Sequence, residues 1–411
     1  MRRLFSAIIM KKMRERVRRL RRALLRLQRS CLHWRSAVPR WAADSRFWGG
    51  VGVLLLVVVL VVARQWHPRS PPVIPPASPA PVHEIPVMPV PPPPPIIHRW
   101  TDGAPLVFQD AQPFAVAVVI DNAPEARPQS GLSEAPMVFE VPVEGRRTRF
   151  VAVLPFDQAI DAFGPVRSAR PYAIGIAQHL GISLAHVGGS PEALTLFREL
   201  RIPHVNQYYD PPFWRSRFRH APFNVYTSVA RMREFLRVRG SDPSAAALAP
   251  LLPFVMDAGI ADASDVPSLR FAYGPQHVVE WRFDATRGLY ERSQGGRVHR
   301  DASGKTITAT NVIVLHARSR VLDAVGRLRI PALDPRGRAA GDGGDDAATV
   351  CVHGRCVDGH WTWHAAPRTG SASPESRIQF WTGTKSARGD TPIAIRPGVT
   401  WVEVVDQSML R

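Results

Sequence analysis

Between residues 164 and 192 the chain gathers groups suited to holding an anion. Gly164 to Arg170 carries Arg167 and Arg170, and His186-Val187-Gly188-Gly189-Ser190-Pro191-Glu192 adds a histidine and a run of small residues. A guanidinium is always charged and offers a planar fork of donors, and the amides of a Gly-Gly-Ser turn can cradle an anion. Arg127 and Arg149 fall at the ends of neighbouring apolar runs, and Asn224 closes a later loop. If the fold brings these ends together, four arginines converge with Gly188, Gly189, Ser190 and Asn224. That set suits a phosphate, a pyrophosphate or a polycarboxylate.

The same residues have other readings. Asp121, Glu140 and Glu144 could neutralise the arginines as internal scaffolding, since buried charges are usually paired. The three carboxylates could instead hold Mg²⁺ or Ca²⁺ through hard oxygen ligands, although no single element fixes their spacing. No other cofactor is implied. His186 at a strand end could act as a general base, or its ring could be held by a nearby carbonyl. Ser190 before Pro191 reads as a helix N-cap rather than a nucleophile. No G-x-S-x-G elbow or Ser/His/Asp pattern marks a hydrolase, so the catalytic residues are unassigned.

The elements that must position these groups follow from the apolar pattern. Phe114–Asp121, Met137–Val141 and Arg149–Pro155 read as strands, and Ile182–Val187 as another. Arg170–Leu180, Pro191–Leu200 and Val229–Arg239 have helical spacing. Val278–Asp284, Thr310–His316 and Thr400–Val405 make the second half β-rich. The expected class is therefore an α/β domain (mixed sheet with helices) over 100–245, followed by a β-rich domain over 255–411. Gly337–Asp346 reads as a surface loop.

Ahead of this body the charge is lopsided. Residues 1–46 hold 15 Lys/Arg against Glu15 and Asp44, so 13 of the chain's +19 lie in a basic tail. Phe47–Ala63 carries no charge, and Arg46, Arg64, Trp48 and Trp66 flank it. We expect one transmembrane helix over 47–66, with the basic tail in the cytoplasm and the body outside. The competing reading is a cleaved signal peptide. The tail's charges suit the anionic inner leaflet, and no base-reading motif supports nucleic acid. Residues 67–99 form a linker with 14 prolines between His67 and His98, extended as polyproline II.

Cys351 and Cys356 flank Val352-His353-Gly354-Arg355. A two-residue His-Gly turn would place them directly opposite on paired strands, within disulfide reach. A zinc set with His360 and His364 is the alternative, at an atypical spacing.

The motifs also resemble the YerB-type bacterial lipoproteins, whose core is a domain of unknown function. The likeness rests on Val119–Asn122, Ala126–Leu132, Glu144-Gly145, Thr148–Phe150, Gly164–Arg170, His186–Ala193, Ala221-Pro222 and Asn224–Ser228. In the second half Asn311–Leu315 and Pro397–Val402 continue it. The resemblance implies an extracytoplasmic α/β unit and a β-rich unit, and brings no established reaction. Two features depart from the pattern. No cysteine follows the apolar run, and Phe223 stands where the pattern resembles Pro-His-Asn. These readings converge on a membrane-anchored envelope module that binds an anionic ligand or an envelope protein through its arginines. A shorter likeness, to the LytR-CpsA-Psr ligases, suggests a metal-assisted phosphoryl or glycopolymer transferase instead.

Overall fold

Val116, Val118 and Ile120 alternate with Ala117 and Val119, and both sets are fully buried. A strand apolar on both sides must lie in a sheet covered on both faces. The computed structural model contains such a sheet; it describes residues 54–61, 64, 98–105, 114–239, 252–256, 263–336, 347–363, 378–383 and 391–406.

The first half supplies β1 (Ala115–Asp121), β2 (Met137–Val143), β3 (Arg147–Pro155), β4 (Leu184–His186), β5 (His204–Asn206), β6 (Phe213–Arg215) and β7 (Val225–Thr227). The second supplies β8 (Ser264–Asp265), β9 (Ser268–Gly274), β10 (His277–Asp284), β11 (Leu289–Gln294), β12 (Arg297–Val298), β13 (Thr308–Ala309) and β14 (Asn311–His316). It continues with β15 (Arg320–Val321), β16 (Leu328–Arg329), β17 (Ala347–Val352), β18 (Arg355–Trp363), β19 (Ile378–Thr382) and β20 (Thr400–Val405).

The main sheet runs β19-β18-β17-β14-β20-β2-β3-β1-β4-β5, with β8 beside β18. β20 inserts parallel between β14 and β2, pairing Met137 with Thr400 and Glu140 with Glu403. The sequence boundary between 100–245 and 255–411 is therefore not a boundary in the sheet, whose ladder runs through both halves. One face is covered by α1 (Pro171–Leu180) and α2 (Pro191–Leu200). The other carries the second sheet, β12-β11-β10-β9 with β13 beside β11, together with α3 (Val229–Val238).

Local signals place the helices. Pro171 and Pro191 occupy first-turn positions, and the Ser190 and Ser228 hydroxyls accept from Ala193 N and Arg231 N at 3.3 Å each. α1 stops at Gly181, in the left-handed region.

β17 and β18 form a hairpin whose two-residue turn, His353-Gly354, has both φ values positive. Cys351 and Cys356 are register partners with Cα atoms 4.1 Å apart, and they are bonded as a disulfide. With the thiols joined, the alternative zinc set loses two of its four ligands, and His364 lies outside the described residues.

The basic tail 1–46, the linker up to residue 97, most of the expected span 47–66 and the loop 337–346 also lie outside the described residues. Residues 54–61 are helical with exposed Leu and Val side chains. No helix among the described residues is long and apolar enough to cross a membrane.

A polar seam lies between the two sheets. Glu140 on β2 and Glu403 on β20 are neighbouring, fully buried glutamates. Glu140 receives the Arg292 guanidinium from β11, the Thr148 hydroxyl at 2.6 Å and the Asn122 amide at 3.0 Å. Burial opposes its charge, but Arg292 and then His277 outweigh burial and hold the carboxyl well below the usual range. Glu403 is held by neutral donors: it accepts from Tyr273 Oη at 2.6 Å and Trp281 Nε1 at 2.7 Å. Burial and the neighbouring Glu140 push it up to about 8. One carboxylate is thus charged and its neighbour is neutral at physiological pH. Arg292 also faces the rings of Phe150, Trp281 and Trp401 at 5.5, 6.0 and 5.3 Å.

Two outcomes are expected. Arg292→Met strands the Glu140 charge and should cost about 3–5 kcal/mol in chemical denaturation at neutral pH. That loss should shrink in acid, where Glu140 can take up a proton. Glu403 titrates near 8 when folded against 4.5 as its ordinary value. Its stabilising contribution is therefore complete below the lower value and lost as pH rises through the upper one. Glu403→Gln should flatten the fall in melting temperature across that window, and an unchanged slope would count against a protonated Glu403.

Candidate functional site

β1, β4 and β5 are mutually parallel, so their carboxyl ends open on one side. That edge presents Asp121-Asn122, His186–Gly189 and Asn206–Tyr208, where open α/β sheets commonly bind ligands. The connection after β3 is stitched along it. Asp121 N donates to Pro165 O at 3.0 Å, Arg167 N to Val119 O at 2.8 Å, and Val187 N to Arg167 O at 3.0 Å. Ala169 N donates to Gly188 O at 3.0 Å. Position 164 needs glycine, since its φ is +155° and an added Cβ would sit 2.8 Å from Val225 O. Arg167, Arg170, His186, Gly188 and Gly189 are thus brought to one edge.

Their partners divide the arginines into two kinds. Arg167 Nε binds the Asp121 carboxylate, and its guanidinium lies 5.5 Å over the Phe223 ring. Arg170 grips both oxygens of Glu144, and Arg149 approaches Glu144 at 3.4 Å while donating to Ser168 O at 3.1 Å. Glu144 is consequently held below its ordinary value, with Arg170 and Arg149 outweighing burial. Arg127 binds only neutral oxygens, Asn122 O at 2.7 Å and Asn122 Oδ1 at 3.1 Å. Burial lowers its pKa to about 10, so it keeps its charge at neutral pH.

Two arginines that sequence reasoning missed join Arg127. Arg215 donates to Asn224 Oδ1 at 2.9 Å and Gln207 Oε1 at 3.1 Å. Arg219 donates to Ala126 O at 2.8 Å and Pro128 O at 2.6 Å. The signal was present in Trp214-Arg215-Ser216-Arg217-Phe218-Arg219, where arginine alternates through an exposed ribbon. Tyr208, Tyr209 and Phe218 stand 65, 84 and 85 % exposed on the same stretch of chain.

The expected cradle of Gly-Gly-Ser amides takes a different form. Gly188 N donates to Asn206 Oδ1 at 3.0 Å and Ser190 N to Ala169 O at 3.1 Å, so both amides hold the scaffold. Gly188 has φ +57°, and an added Cβ would meet the Tyr208 ring at 2.7 Å. Ser190 caps α2, as its spacing before Pro191 suggests. His186 is buried, with Nδ1 2.7 Å from Gly188 O and Nε2 3.0 Å from His204 Nδ1. Both ring nitrogens are engaged within the protein, so neither is poised to take a substrate proton. Arg170 and Ser190 line a pocket of about 390 Å³ together with Pro171, Pro191, Leu322 and Arg327.

The carboxylates weighed as metal ligands do not meet. Asp121 binds Arg167, Glu140 binds Arg292, and Glu144 binds Arg170. Among the described residues no group of three or more His, Cys, Asp or Glu is arranged to hold a metal.

Comparison with known proteins gives a consistent set of relatives. Residues 103–242 match the profile described as Protein of unknown function (DUF3048) N-terminal domain, and residues 269–402 match the corresponding C-terminal domain. The chain is 34 % identical over 218 residues to "Putative lipoprotein YerB" of Bacillus subtilis (strain 168). That match covers 52 % of this chain and 65 % of the relative, slightly under two thirds of its length. The crystal structure of the YerB protein from Bacillus subtilis superimposes with a TM-score of 0.62 at 26 % identity. It covers 75 % of this chain and 96 % of the solved one.

Burial is the main cause that lowers His186 to about 4, partly opposed by the Gly188 carbonyl. Unfolded histidine binds protons below its ordinary 6.5, so this residue favours the fold above that value, and its contribution is lost as pH falls from 6.5 through about 4. Nitrogen-15 imidazole spectra should show His186 neutral at pH 5.5. An imidazolium at that pH would contradict the buried geometry.

Proposed function

The chain belongs to the DUF3048 family, and from that premise we propose that it is a binding module on the outer side of a bacterial cytoplasmic membrane. The segment 47–66, with its apolar run 47–63, anchors it with the N-terminus inside, and the carboxyl edge of β1, β4 and β5 recognises a polyanionic envelope ligand. One observation carries the reading: Arg127, Arg215 and Arg219 donate to neutral amide and carbonyl oxygens rather than to a carboxylate. Six guanidinium groups at this edge (Arg127, Arg149, Arg167, Arg170, Arg215 and Arg219) accompany the carboxylates of Asp121 and Glu144. A polymeric ligand fits better than a small ion, because the exposed tyrosines and Phe218 extend the surface beyond the arginines. The Cys351–Cys356 disulfide and the relative's name as a lipoprotein both agree with an oxidising, membrane-attached setting. The transferase reading has less support, since Asp121 and Glu144 are each engaged by a guanidinium rather than grouped for a metal.

Titration calorimetry of the purified full-length protein with inorganic polyphosphate tests this. Wild type should bind, and affinity should fall as salt rises. Arg127→Gln with Arg215→Gln should weaken binding at least tenfold. Asp121→Asn, which releases Arg167 from its carboxylate, should strengthen it. The opposite signs separate ligand contact from a general loss of fold. No binding by wild type, or the same affinity in all three forms, overturns the proposal.

A further inference from the structure

The β15–β16 hairpin presents apolar side chains outward from a well-tied turn. Arg320 pairs with Arg329 and Val321 with Leu328, and Leu322 N donates to Arg327 O at 2.7 Å. Asp323 closes the tip: its carboxylate accepts from Val325 N at 3.1 Å, Arg327 N at 3.2 Å and Arg327 Nη1 at 2.7 Å. The base is held to the body by Arg329, which reaches Glu192 at 2.5 Å and Asp334 at 3.3 Å. Despite this ordering, Val321, Leu322 and Val325 are 68, 42 and 64 % exposed. Single exposed apolar residues are ordinary, whereas three on one hydrogen-bonded turn form a patch. Arg318 and Arg320 beside it are also exposed. Of the four arginines from 318 to 329, Arg327 pairs with Asp323 and Arg329 with Glu192 and Asp334.

We propose that this hairpin is a membrane-contact element that inserts Val321, Leu322 and Val325 into the interface of an anionic lipid bilayer. Aliphatic side chains gain by entering the acyl boundary, and arginines beside them match the anionic headgroup layer. The hairpin's side chains are not among the arginines of the polyanion edge, although Leu322 and Arg327 share a pocket with Arg170.

Hydrogen–deuterium exchange on the full-length protein tests it, with nanodiscs of phosphatidylcholine alone or containing phosphatidylglycerol. Exchange in residues 318–329 should slow at least tenfold with the anionic discs and much less with the neutral ones. Val321→Asp with Leu322→Asp and Val325→Asp should abolish the protection while β14 and β20 exchange as in wild type. If those strands exchange faster, the milder set Val321→Ser with Val325→Ser replaces it and should reduce the protection. Exchange unaffected by anionic discs overturns the proposal, as does protection that is equal on neutral discs or survives substitution.

Discussion

The ion pair between Glu140 and Arg292 joins the two sheets at the line where the two halves of the sequence meet. Both side chains are fully buried, and they come from β2 in the main sheet and β11 in the second sheet. Burying either charge alone would cost several kcal/mol, so docking of the second sheet depends on placing the guanidinium against the carboxylate. Register is constrained by the same interaction. Glu403 lies beside Glu140 because β20 pairs with β2 in one alignment, and a one-residue slip would turn it toward the helix-covered face. There it would lose Tyr273 and Trp281. A single cation serves two neighbouring glutamates, so one is charged and the other retains its proton.

That seam is continuous with the candidate site. The Asn122 amide donates to Glu140 at 3.0 Å, while its carbonyl oxygen accepts from Arg127 Nε at 3.1 Å. Gln129 makes a parallel link, accepting from His299 Nε2 at 2.8 Å and donating to Asp121 O at 3.0 Å. His299 receives Arg292 Nη1 at 2.6 Å on its other nitrogen and is held neutral, chiefly by burial. The guanidinium of Arg127 is therefore oriented by side chains that are themselves fixed by the core pair. A surface arginine held in this way loses less freedom when a ligand arrives, which favours binding.

Much of this architecture could be read from sequence because its signals are local. The buried strands, the Ser190 cap, the helix start at Pro191 and the Cys351–Cys356 hairpin each depend on residues within a few positions of one another, and the helix expected from Arg170 begins one residue later, at Pro171. Glu140 was read only as a possible arginine partner or metal ligand, and Glu403 was not singled out. Their pairing across the sheets has no local signal, since Arg292 lies 152 residues from Glu140 in an alternating strand that reads as ordinary surface. The Gly188-Gly189-Ser190 amides were misread for a similar reason. Asn206 and Ala169, which use two of those amides, are brought there only by the parallel pairing of β4 with its neighbours. Arg215 and Arg219 were overlooked because their acceptors are side-chain amides and carbonyl oxygens that no spacing rule reveals.

Phe223 bears on whether the edge binds or reacts. The related pattern resembles Pro-His-Asn, and a histidine there would be a titratable group next to Arg167. When protonated it would repel that guanidinium, and when neutral it would offer a smaller ring. Phenylalanine supplies an apolar face 5.5 Å from the guanidinium carbon, which is attractive at every pH. Asp121 holds Arg167 from the other side. In this chain the position therefore supports a cation and carries no titratable group. Both nitrogens of His186 are engaged within the protein, and His220 is exposed on the ribbon loop.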